Sequence, residues 1–312
     1  MQSKKPKVLL IGGPTAVGKT SLGIECAKLF HGEIISADCV QVYKGLNIGS
    51  AKPTTDELSS AKHHLIDVLE PTESFNVDYF KNSADELIKK LNSEGKLPII
   101  VGGTGLYMRA LLFPYDLGKS ERNEEIRQKY KKLAEEHGKE YVYNILKEVD
   151  EESANKLHFN DLKRVIRALE IYEVSGNTKS SHKTNELVSD YDYTLVALIK
   201  DRKTLYEQIN KRVDMMFENG LLEEVTDLVK NKHLTRDLQS MNAIGYKEFF
   251  DYFDGKITLE QVKENIKQNS RRYAKRQITW FKTMPNVHFF ETDEGISKVL
   301  DFLKGLYYNQ LS

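Results

Sequence analysis

The stretch Gly12–Thr20, GGPTAVGKT, directly follows the apolar run Val8–Ile11. It contains the P-loop pattern G-x-x-x-x-G-K-[ST], and its surroundings supply the strand and the helix that this pattern requires. In such a loop the backbone N–H groups converge on one point and favour negative charge. Lys19 adds a positive charge, and the Thr20 hydroxyl can hold Mg²⁺ beside a phosphate oxygen. The motif predicts binding of a diphosphate or triphosphate; the alternative is a tight turn that merely contains Gly and Lys.

The composition is that of an ordinary globular protein. The 312 residues are 40% hydrophobic and 29% charged, and the longest apolar stretches, such as Pro98–Val101, are too short to cross a bilayer. The N-terminal MQSKKPK has no apolar segment of the kind found in secretory signals. Two cysteines, Cys26 and Cys39, exclude a cysteine-rich zinc module and a disulfide framework. We therefore expect a cytoplasmic protein without a membrane segment.

Strand-like and helix-like patterns alternate along the first third of the chain, which predicts an α/β fold with a parallel sheet flanked by helices. We expect residues 1–116 to form the first part of a P-loop core, because the segment 117–190 is charged and mainly helical. That segment is interpreted as an insertion, and residues 191–312 as completing the core with C-terminal helices. Thr258 and Gln261 predict a capping box that opens a long helix to Trp280. Expected strands or apolar runs are Val8–Ile11, Glu33–Ser36, His64–Val68, Leu97–Val101, Thr194–Ile199 and an edge strand Val287–Phe290.

The carboxylate that usually holds Mg²⁺ in a phosphoryl-transfer enzyme has no obvious counterpart here. The strand Leu97–Val101 ends in glycines, and Asp201 follows a strand only beyond the insertion. This pattern favours a diphosphate that is not the tail of a reacting ATP. Asp38 follows the strand Glu33–Ser36 and is expected at the same sheet edge as the P-loop. Three interpretations stay open for it: a water-mediated contact to Mg²⁺, acceptance of a proton from a nucleophile, or a helix N-cap.

The segment Gly102–Gly105, GGTG, follows another strand at that edge. Its glycines would allow close approach of the backbone, and Thr104 offers a hydroxyl to a phosphate or a substrate. A plain tight turn is an equal alternative.

Positive charge is concentrated near the C-terminus, although 46 basic and 46 acidic residues give a net charge of zero. The run Lys267–Lys282, KQNSRRYAKRQITWFK, contains no acidic residue. Tyr273, Trp280 and Phe281 interleave with its basic residues, which is typical of surfaces that bind phosphates and stack bases. The alternative is an exposed charged helix face whose aromatic residues belong to the core.

Seven separated motifs follow one another over nearly the whole chain. They are GPTAVGKT (Gly13–Thr20), SADCVQVYKGLNIGSAKP (Ser36–Pro53), HHLIDVLEP (His63–Pro71), VGGTGLYMRALL (Val101–Leu112), HFNDLKRVIRALEIY (His158–Tyr172), NAIGYKE (Asn242–Glu248) and AKRQITWF (Ala274–Phe281). Together they resemble the tRNA dimethylallyltransferases. DCVQVYKG and KRQITWF are specific to that family rather than to P-loop proteins at large.

The resemblance implies transfer of a dimethylallyl group from dimethylallyl diphosphate to N6 of the adenosine at position 37 of tRNA, next to the anticodon, with release of diphosphate. Lys19, Thr20 and Mg²⁺ would stabilise the departing charge. Asp38 would accept the proton of the adenine amine, and Arg212 matches, at a looser spacing, a family arginine linked to the diphosphate. The implied donor-binding residues are Gly13, Pro14, Thr15, Ala16, Val17, Gly18, Lys19 and Thr20, with Thr20 as the metal ligand.

The resemblance also implies a tRNA-binding surface. The target adenosine has to be extruded to reach the site, and the helical insertion would clasp the anticodon stem-loop. The chain lacks the C-terminal Cys/His finger of eukaryotic relatives, which favours a bacterial-type enzyme, and we expect a monomer. The implied tRNA-binding residues are Asp38, Cys39, Val40, Gln41, Thr104, Arg127, Lys163, Arg164, Arg167, Asn242, Gly245, Tyr246, Lys247, Lys275, Arg276, Gln277, Trp280 and Lys282.

Three other functions compete with this one. An isopentenyltransferase acting on free adenine nucleotides would not need the basic insertion or the KRQITWF helix. A P-loop small-molecule kinase would consume ATP and could recruit Asp38 to Mg²⁺. A non-catalytic, RNA-binding nucleotide switch would bind tRNA without forming a product.

Overall fold

The computed structural model describes residues 5–114, 123–182, 187–293 and 295–307. Six strands form one sheet in which all neighbouring strands are parallel, in the order β3-β2-β4-β1-β5-β6. This confirms the predicted α/β architecture of a parallel sheet flanked by helices. The strands are β1 (Lys7–Gly12), β2 (Gly32–Ser36), β3 (His63–His64), β4 (Leu97–Val101), β5 (Asp192–Ile199) and β6 (Val287–Glu291).

The centre of the sheet is made by β1, with β4 on one side and β5 on the other. Leu9 and Ile11 of β1 pair with Ile99 and Val101 of β4. Strands covered by helices on both faces read as continuous apolar runs, and the four residues Val8–Ile11 are fully buried. Because the strands are parallel, the loops after β1, β2 and β4 all emerge at one edge of the sheet.

Thirteen α-helices occur within the described residues. The capping box predicted at Thr258 and Gln261 is present, and its helix extends beyond Trp280 to Lys282. The helices are α1 (Lys19–Leu29), α2 (Thr55–Ser60), α3 (Val77–Ser93), α4 (Gly105–Leu112), α5 (Glu124–His137), α6 (Lys139–Val149), α7 (Glu151–Ala154), α8 (Leu162–Ser175), α9 (Arg202–Glu218), α10 (Leu221–Thr226), α11 (Phe249–Phe253), α12 (Leu259–Lys282) and α13 (Ser297–Tyr307).

The apolar run His64–Val68 forms little sheet, since β3 ends at His64. Leu65 and Asp67 have φ angles of 59° and 54°, which lie in the left-handed region and cannot continue a strand. The chain turns there, and Leu69 then makes a single bridge to Tyr43. Hydrophobicity predicted burial at this position correctly for Leu65 but could not predict the turn.

The chain divides into two compact units, one of residues 1–112 with 189–312 and one of residues 113–188. The smaller unit has its own core, in which α5, α6 and α8 contribute Tyr130, Val142, Leu146, Val165 and Leu169. The boundary predicted between residues 116 and 117 lies outside the described residues. Among the described helices, none has the length and apolar character needed to cross a membrane.

Candidate active site

The P-loop turns sharply between β1 and α1. Gly13 and Gly18 have φ angles of 138° and 98°, and a Cβ at Gly13 would lie 2.5 Å from the carbonyl oxygen of Leu198. Glycine is required at Gly13 on both counts. Gly13 and Pro14 are buried, whereas Thr15–Thr20 line a cavity of about 670 Å³ that we call the P-loop cavity.

Lys19 lies at the start of α1 and folds back onto its own loop, donating from Nζ to the Pro14 carbonyl oxygen at 2.6 Å. Burial and, after it, the nearby charge of Arg212 lower the pKa of Lys19 to about 7, with the charge of Asp38 acting in the opposite direction. A bound anion would favour the protonated form of Lys19, because it would supply the counter-charge that the buried amine lacks.

The P-loop cavity extends well beyond the loop itself. It is bounded by the ends of β4 and β2, by the segment 50–57, and by α9 and α12. Its lining residues are Thr15–Ser21, Asp38, Gln41, Ser50–Lys52, Thr54, Glu57, Val101–Gly103, Gln208, Lys211, Arg212, Met215, Tyr273 and Gln277.

A second cavity of about 320 Å³ shares part of its wall with the first. The residues common to both linings are Thr15, Asp38, Ser50, Ala51, Arg212 and Tyr273. The carboxylate of Asp38 and the guanidinium of Arg212 thus lie where the two cavities adjoin. The full lining of the second cavity is Thr15, Asp38–Val40, Gly49–Ala51, Ile209, Arg212, Val213, Met216, Asn242–Ile244, Lys247, Ile266, Ser270, Tyr273 and Arg276.

Asp38 follows β2 by two residues and is half-buried. Its Oδ1 accepts hydrogen bonds from the backbone N–H groups of Val40 at 2.8 Å and Gln41 at 3.2 Å. The side chain therefore caps a turn, as the cap interpretation anticipates, although no helix follows. The same carboxylate lines both cavities, so the capping role and a chemical role are compatible.

Thr104 lies in the loop after β4, and the half-buried Cys39 lies close by in the loop after β2. Thr104 Oγ1 is buried and makes no hydrogen bond of good geometry within the described part of the chain, but the Cys39 thiol and the Tyr273 hydroxyl lie close enough to interact with it. Burial, with the charge of Asp38, raises the pKa of the Cys39 thiol to about 12. A buried hydroxyl whose hydrogen bonds are poor is costly, so Thr104 is suited to receive a polar group of a ligand.

Helix α12 presents one face to the sheet edge and another to solvent. Ala274, Gln277 and Phe281 are buried, whereas Lys275 and Arg276 are exposed. Trp280 is half-buried and Lys282 exposed; a Cβ at Gly105 would lie 3.0 Å from Trp280 Cβ. The buried face agrees with the alternative of core aromatic residues, and for the exposed face the binding of phosphates and bases stays a prediction.

Gln277 does not fit the tRNA contact predicted for its side chain. It is 4% exposed, accepts from the Thr15 N–H at 2.9 Å and donates to the Gly103 carbonyl oxygen at 3.0 Å. These bonds use its amide to join two loops of the protein.

The segment Asn242–Lys247, like α12, contains both exposed and buried residues. Asn242 and Lys247 are exposed and line the second cavity. Gly245 and Tyr246 are buried, and Tyr246 Oη donates to Glu224 Oε1 at 2.9 Å and accepts from the Ser50 N–H at 3.1 Å. The Tyr246 side chain therefore supports Glu224 and Ser50, and a direct contact of this side chain with tRNA stays a prediction.

The sequence interpretation missed Glu224, which organises the segment 47–50. Its carboxylate accepts backbone N–H groups of Asn47, Ile48 and Gly49 at 2.8–3.1 Å. Nothing local in the sequence signals this, because the partners lie about 175 residues away. Ser50 and Ala51 in the shared wall were likewise not among the predicted site residues, and Tyr273 was noted only as an aromatic residue of the basic run.

Four predicted tRNA-binding residues belong to the smaller unit. Arg127 donates from Nε and Nη2 to the carboxylate of the fully buried Glu170, and Arg167 donates to the same carboxylate at 2.7 Å. Lys163 and Arg164 are exposed. The unit thus combines two arginines anchored by a carboxylate with two solvent-facing cations.

Comparison with known proteins assigns this site to a family. The family model described as IPP transferase matches residues 41–284. The chain belongs to the IPP transferase family. It is 47% identical over 307 residues to a tRNA dimethylallyltransferase of Bacillus mycoides, covering 97% of this chain and 96% of that relative. The predicted resemblance is confirmed.

Solved structures give the same assignment. A full-length tRNA isopentenylpyrophosphate transferase of Bacillus halodurans matches with a TM-score of 0.72 and 41% identity, covering 98% of each chain. A eukaryotic dimethylallyltransferase acting on tRNA matches with a TM-score of 0.80 and 30% identity, covering 97% of this chain and 80% of that one. Membership in this family favours a prenyltransferase over the kinase and switch alternatives.

Proposed function

We propose that this enzyme transfers a dimethylallyl group from dimethylallyl diphosphate to N6 of adenosine 37 in tRNA and releases diphosphate. The observation that carries the proposal is the shared wall of the two cavities. A P-loop lines one cavity, exposed polar and basic side chains rim the other, and Asp38 and Arg212 line both. Such an arrangement can hold a donor and an acceptor on either side of a carboxylate.

The donor's diphosphate is assigned to the P-loop cavity. The start of α1 favours negative charge, and Lys19 and Arg212 bring two cationic side chains to the same place. Both side chains are largely buried, so their interaction with an anion is weakly screened. They would stabilise the charge that develops on diphosphate as the allylic carbon–oxygen bond breaks.

Mg²⁺ fits this cavity. The Thr20 hydroxyl lines it, and an oxygen donor is the type of ligand that Mg²⁺ prefers. No group of three His, Cys, Asp or Glu side chains suited to a metal occurs in residues 5–114, 123–182, 187–293 and 295–307, so the remaining ligands would be diphosphate oxygens and water. When bound, the ion would neutralise part of the leaving-group charge.

The adenine is assigned to the second cavity. Asp38 would accept the N6 proton while the bond from N6 to the allylic carbon forms and the bond from that carbon to diphosphate breaks. Its Oδ1 already holds the turn at Val40 and Gln41, which fixes the carboxylate before substrate arrives. The buried Thr104 hydroxyl is suited to orient the amine.

The tRNA backbone is assigned to exposed cations of both units. Phosphate contacts position a nucleic acid and are supplied mostly by Lys and Arg. The adenosine would be extruded from its stack into the cavity, as base-modifying enzymes require. The proposed phosphate contacts are Lys163, Arg164, Lys247, Lys275, Arg276 and Lys282. A cytoplasmic location and a monomeric state stay predictions.

The test uses purified protein, Mg²⁺ and unmodified tRNA with adenosine at position 37, with either dimethylallyl diphosphate or ATP. Nucleoside mass spectrometry reports a five-carbon gain on adenosine, and diphosphate release is followed in parallel. We expect the gain with dimethylallyl diphosphate alone. Phosphate release from ATP without that gain would indicate the kinase or the switch, and tRNA binding without either product would favour the switch. Modification of free adenylate in preference to tRNA would indicate the nucleotide-directed transferase.

A further inference from the structure

Gln277 of α12 joins the loops that follow β1 and β4. Its Oε1 accepts from the Thr15 N–H and its Nε2 donates to the Gly103 carbonyl oxygen. Both polar ends of the buried amide are therefore paired with backbone groups at the wall of the P-loop cavity. A side chain held at both ends in this way has little freedom to move independently of either loop.

Helix α12 packs closely against these loops. A Cβ at Gly103 would lie 2.0 Å from Gln277 Nε2, and a Cβ at Gly12 would lie 2.2 Å from Phe281 Cε1. Both contacts depend on the absence of a side chain. Because packing this close transmits displacement, a shift of this part of α12 has to move the ends of β1 and β4 with it.

An adjacent side of the same helical turn faces the second cavity and solvent. Arg276, the residue before Gln277, is exposed and lines the second cavity. Tyr273, one turn earlier, lines both cavities. A ligand that engages Arg276 therefore acts on the backbone that carries Gln277.

We infer that Gln277 is a positioning residue that couples the two ligand sites. RNA bound on the exposed face of α12 fixes the helix, Gln277 fixes the Thr15 N–H, and the P-loop is held ready for diphosphate. Thermodynamic reciprocity requires that diphosphate tighten RNA binding by the same factor. The inference rests on the proposed function, because it takes the P-loop as the diphosphate site and α12 as an RNA contact.

The experiment measures the Kd of inorganic diphosphate, at fixed Mg²⁺, with and without a saturating anticodon stem-loop RNA that has adenosine at position 37. The Kd of the RNA is measured with and without diphosphate in the same way. For the natural chain we expect each ligand to tighten the other about tenfold, within the usual range of coupling between sites.

Two variants and one control assign the coupling to Gln277. Gln277→Leu removes both hydrogen bonds, and Gln277→Glu keeps the size and an acceptor for Thr15 but loses the donor to Gly103. Each is expected to reduce the coupling factor to about one to two, well below the usual 5-fold or more, and to raise the KM for dimethylallyl diphosphate at saturating RNA more than it lowers kcat. Gln268→Leu is the matched control, because Gln268 is exposed on the same helix and lines neither cavity.

The outcomes separate the inference from the proposed function. Binding of both ligands with no coupling in the natural chain would overturn the inference and leave the function standing. Coupling retained in either folded Gln277 variant would also overturn it, as would an equal loss in Gln268→Leu. Failure of the natural chain to bind diphosphate or RNA at all would overturn the proposed function and, with it, the inference.

Discussion

Tyr246 and Glu224 form a partly buried hydrogen bond of 2.9 Å that fixes the wall shared by the two cavities. Glu224 accepts three backbone N–H groups of the segment 47–49, and Tyr246 Oη accepts the next one, from Ser50. A Cβ at Gly49 would lie 2.6 Å from Tyr246 Cζ, so ring and loop are in direct contact. The pair thus determines where Ser50 and Ala51 lie relative to Asp38 and Arg212.

Replacement of Glu224 by Ala is expected to destabilise the protein and to weaken the binding of dimethylallyl diphosphate. Three backbone N–H groups and the Tyr246 hydroxyl lose their hydrogen-bond acceptor, and each unsatisfied hydrogen-bond donor costs about 1–3 kcal/mol when buried. Because this loop is partly exposed, we expect a loss of about 2–3 kcal/mol in the free energy of unfolding by urea. Glu224→Gln, which keeps an acceptor oxygen, is the control and should lose less; equal losses would contradict this role of the carboxylate.

Replacement of Asp38 by Asn is expected to lower kcat by about 10²- to 10⁴-fold, the usual contribution of a general base. Asn keeps the Oδ1 that accepts from Val40 and Gln41, so the turn and the affinity for tRNA should be preserved. Single-turnover transfer and filter binding of tRNA measure the two effects separately. An unchanged kcat would show that another group takes the N6 proton.

The sequence predicted the sheet well where strands are buried on both faces, as in β1 and β4, because burial there imposes uninterrupted apolar runs. It also predicted the loops at the sheet edge, since parallel strands bring their ends together. The inward orientation of Gln277 was detectable in principle, because Ala274, Gln277 and Phe281 follow helical spacing. The Glu224 contact was not, since a carboxylate that binds backbone N–H groups leaves no pattern in its partner's side chains.

Acid stability is expected to depend on Glu33, at the start of β2. Burial alone would raise its pKa, but hydrogen bonds from Lys96, His64 and Lys62 outweigh it and lower the pKa to about 2. The ionised form is therefore favoured in the folded state, and its stabilisation is complete above the unfolded pKa, about 4.3, and is lost as the pH falls toward 2.

The measurement compares the natural chain with Glu33→Gln by chemical unfolding across this range. We expect the natural chain to be more stable by about 2 kcal/mol at pH 5.5 and the difference to disappear near pH 2. Glu94→Gln is the control, because Glu94 also contacts Lys96 but is exposed. A difference independent of pH would contradict the assignment.

Diphosphate binding is expected to weaken as the pH rises through about 7, the pKa of Lys19 in the free protein. An anion favours the charged amine, so binding is linked to proton uptake wherever the free lysine is neutral and the bound one is not. Between pH 6 and pH 8.5 this should raise the Kd of inorganic diphosphate by about 30-fold beyond the effect of the ligand's own ionisation. Lys19→Arg separates the two effects, because a guanidinium stays charged throughout this range. If the natural chain and Lys19→Arg show the same pH dependence at fixed Mg²⁺, then Lys19 is already charged in the free site, and the ligand alone sets the profile.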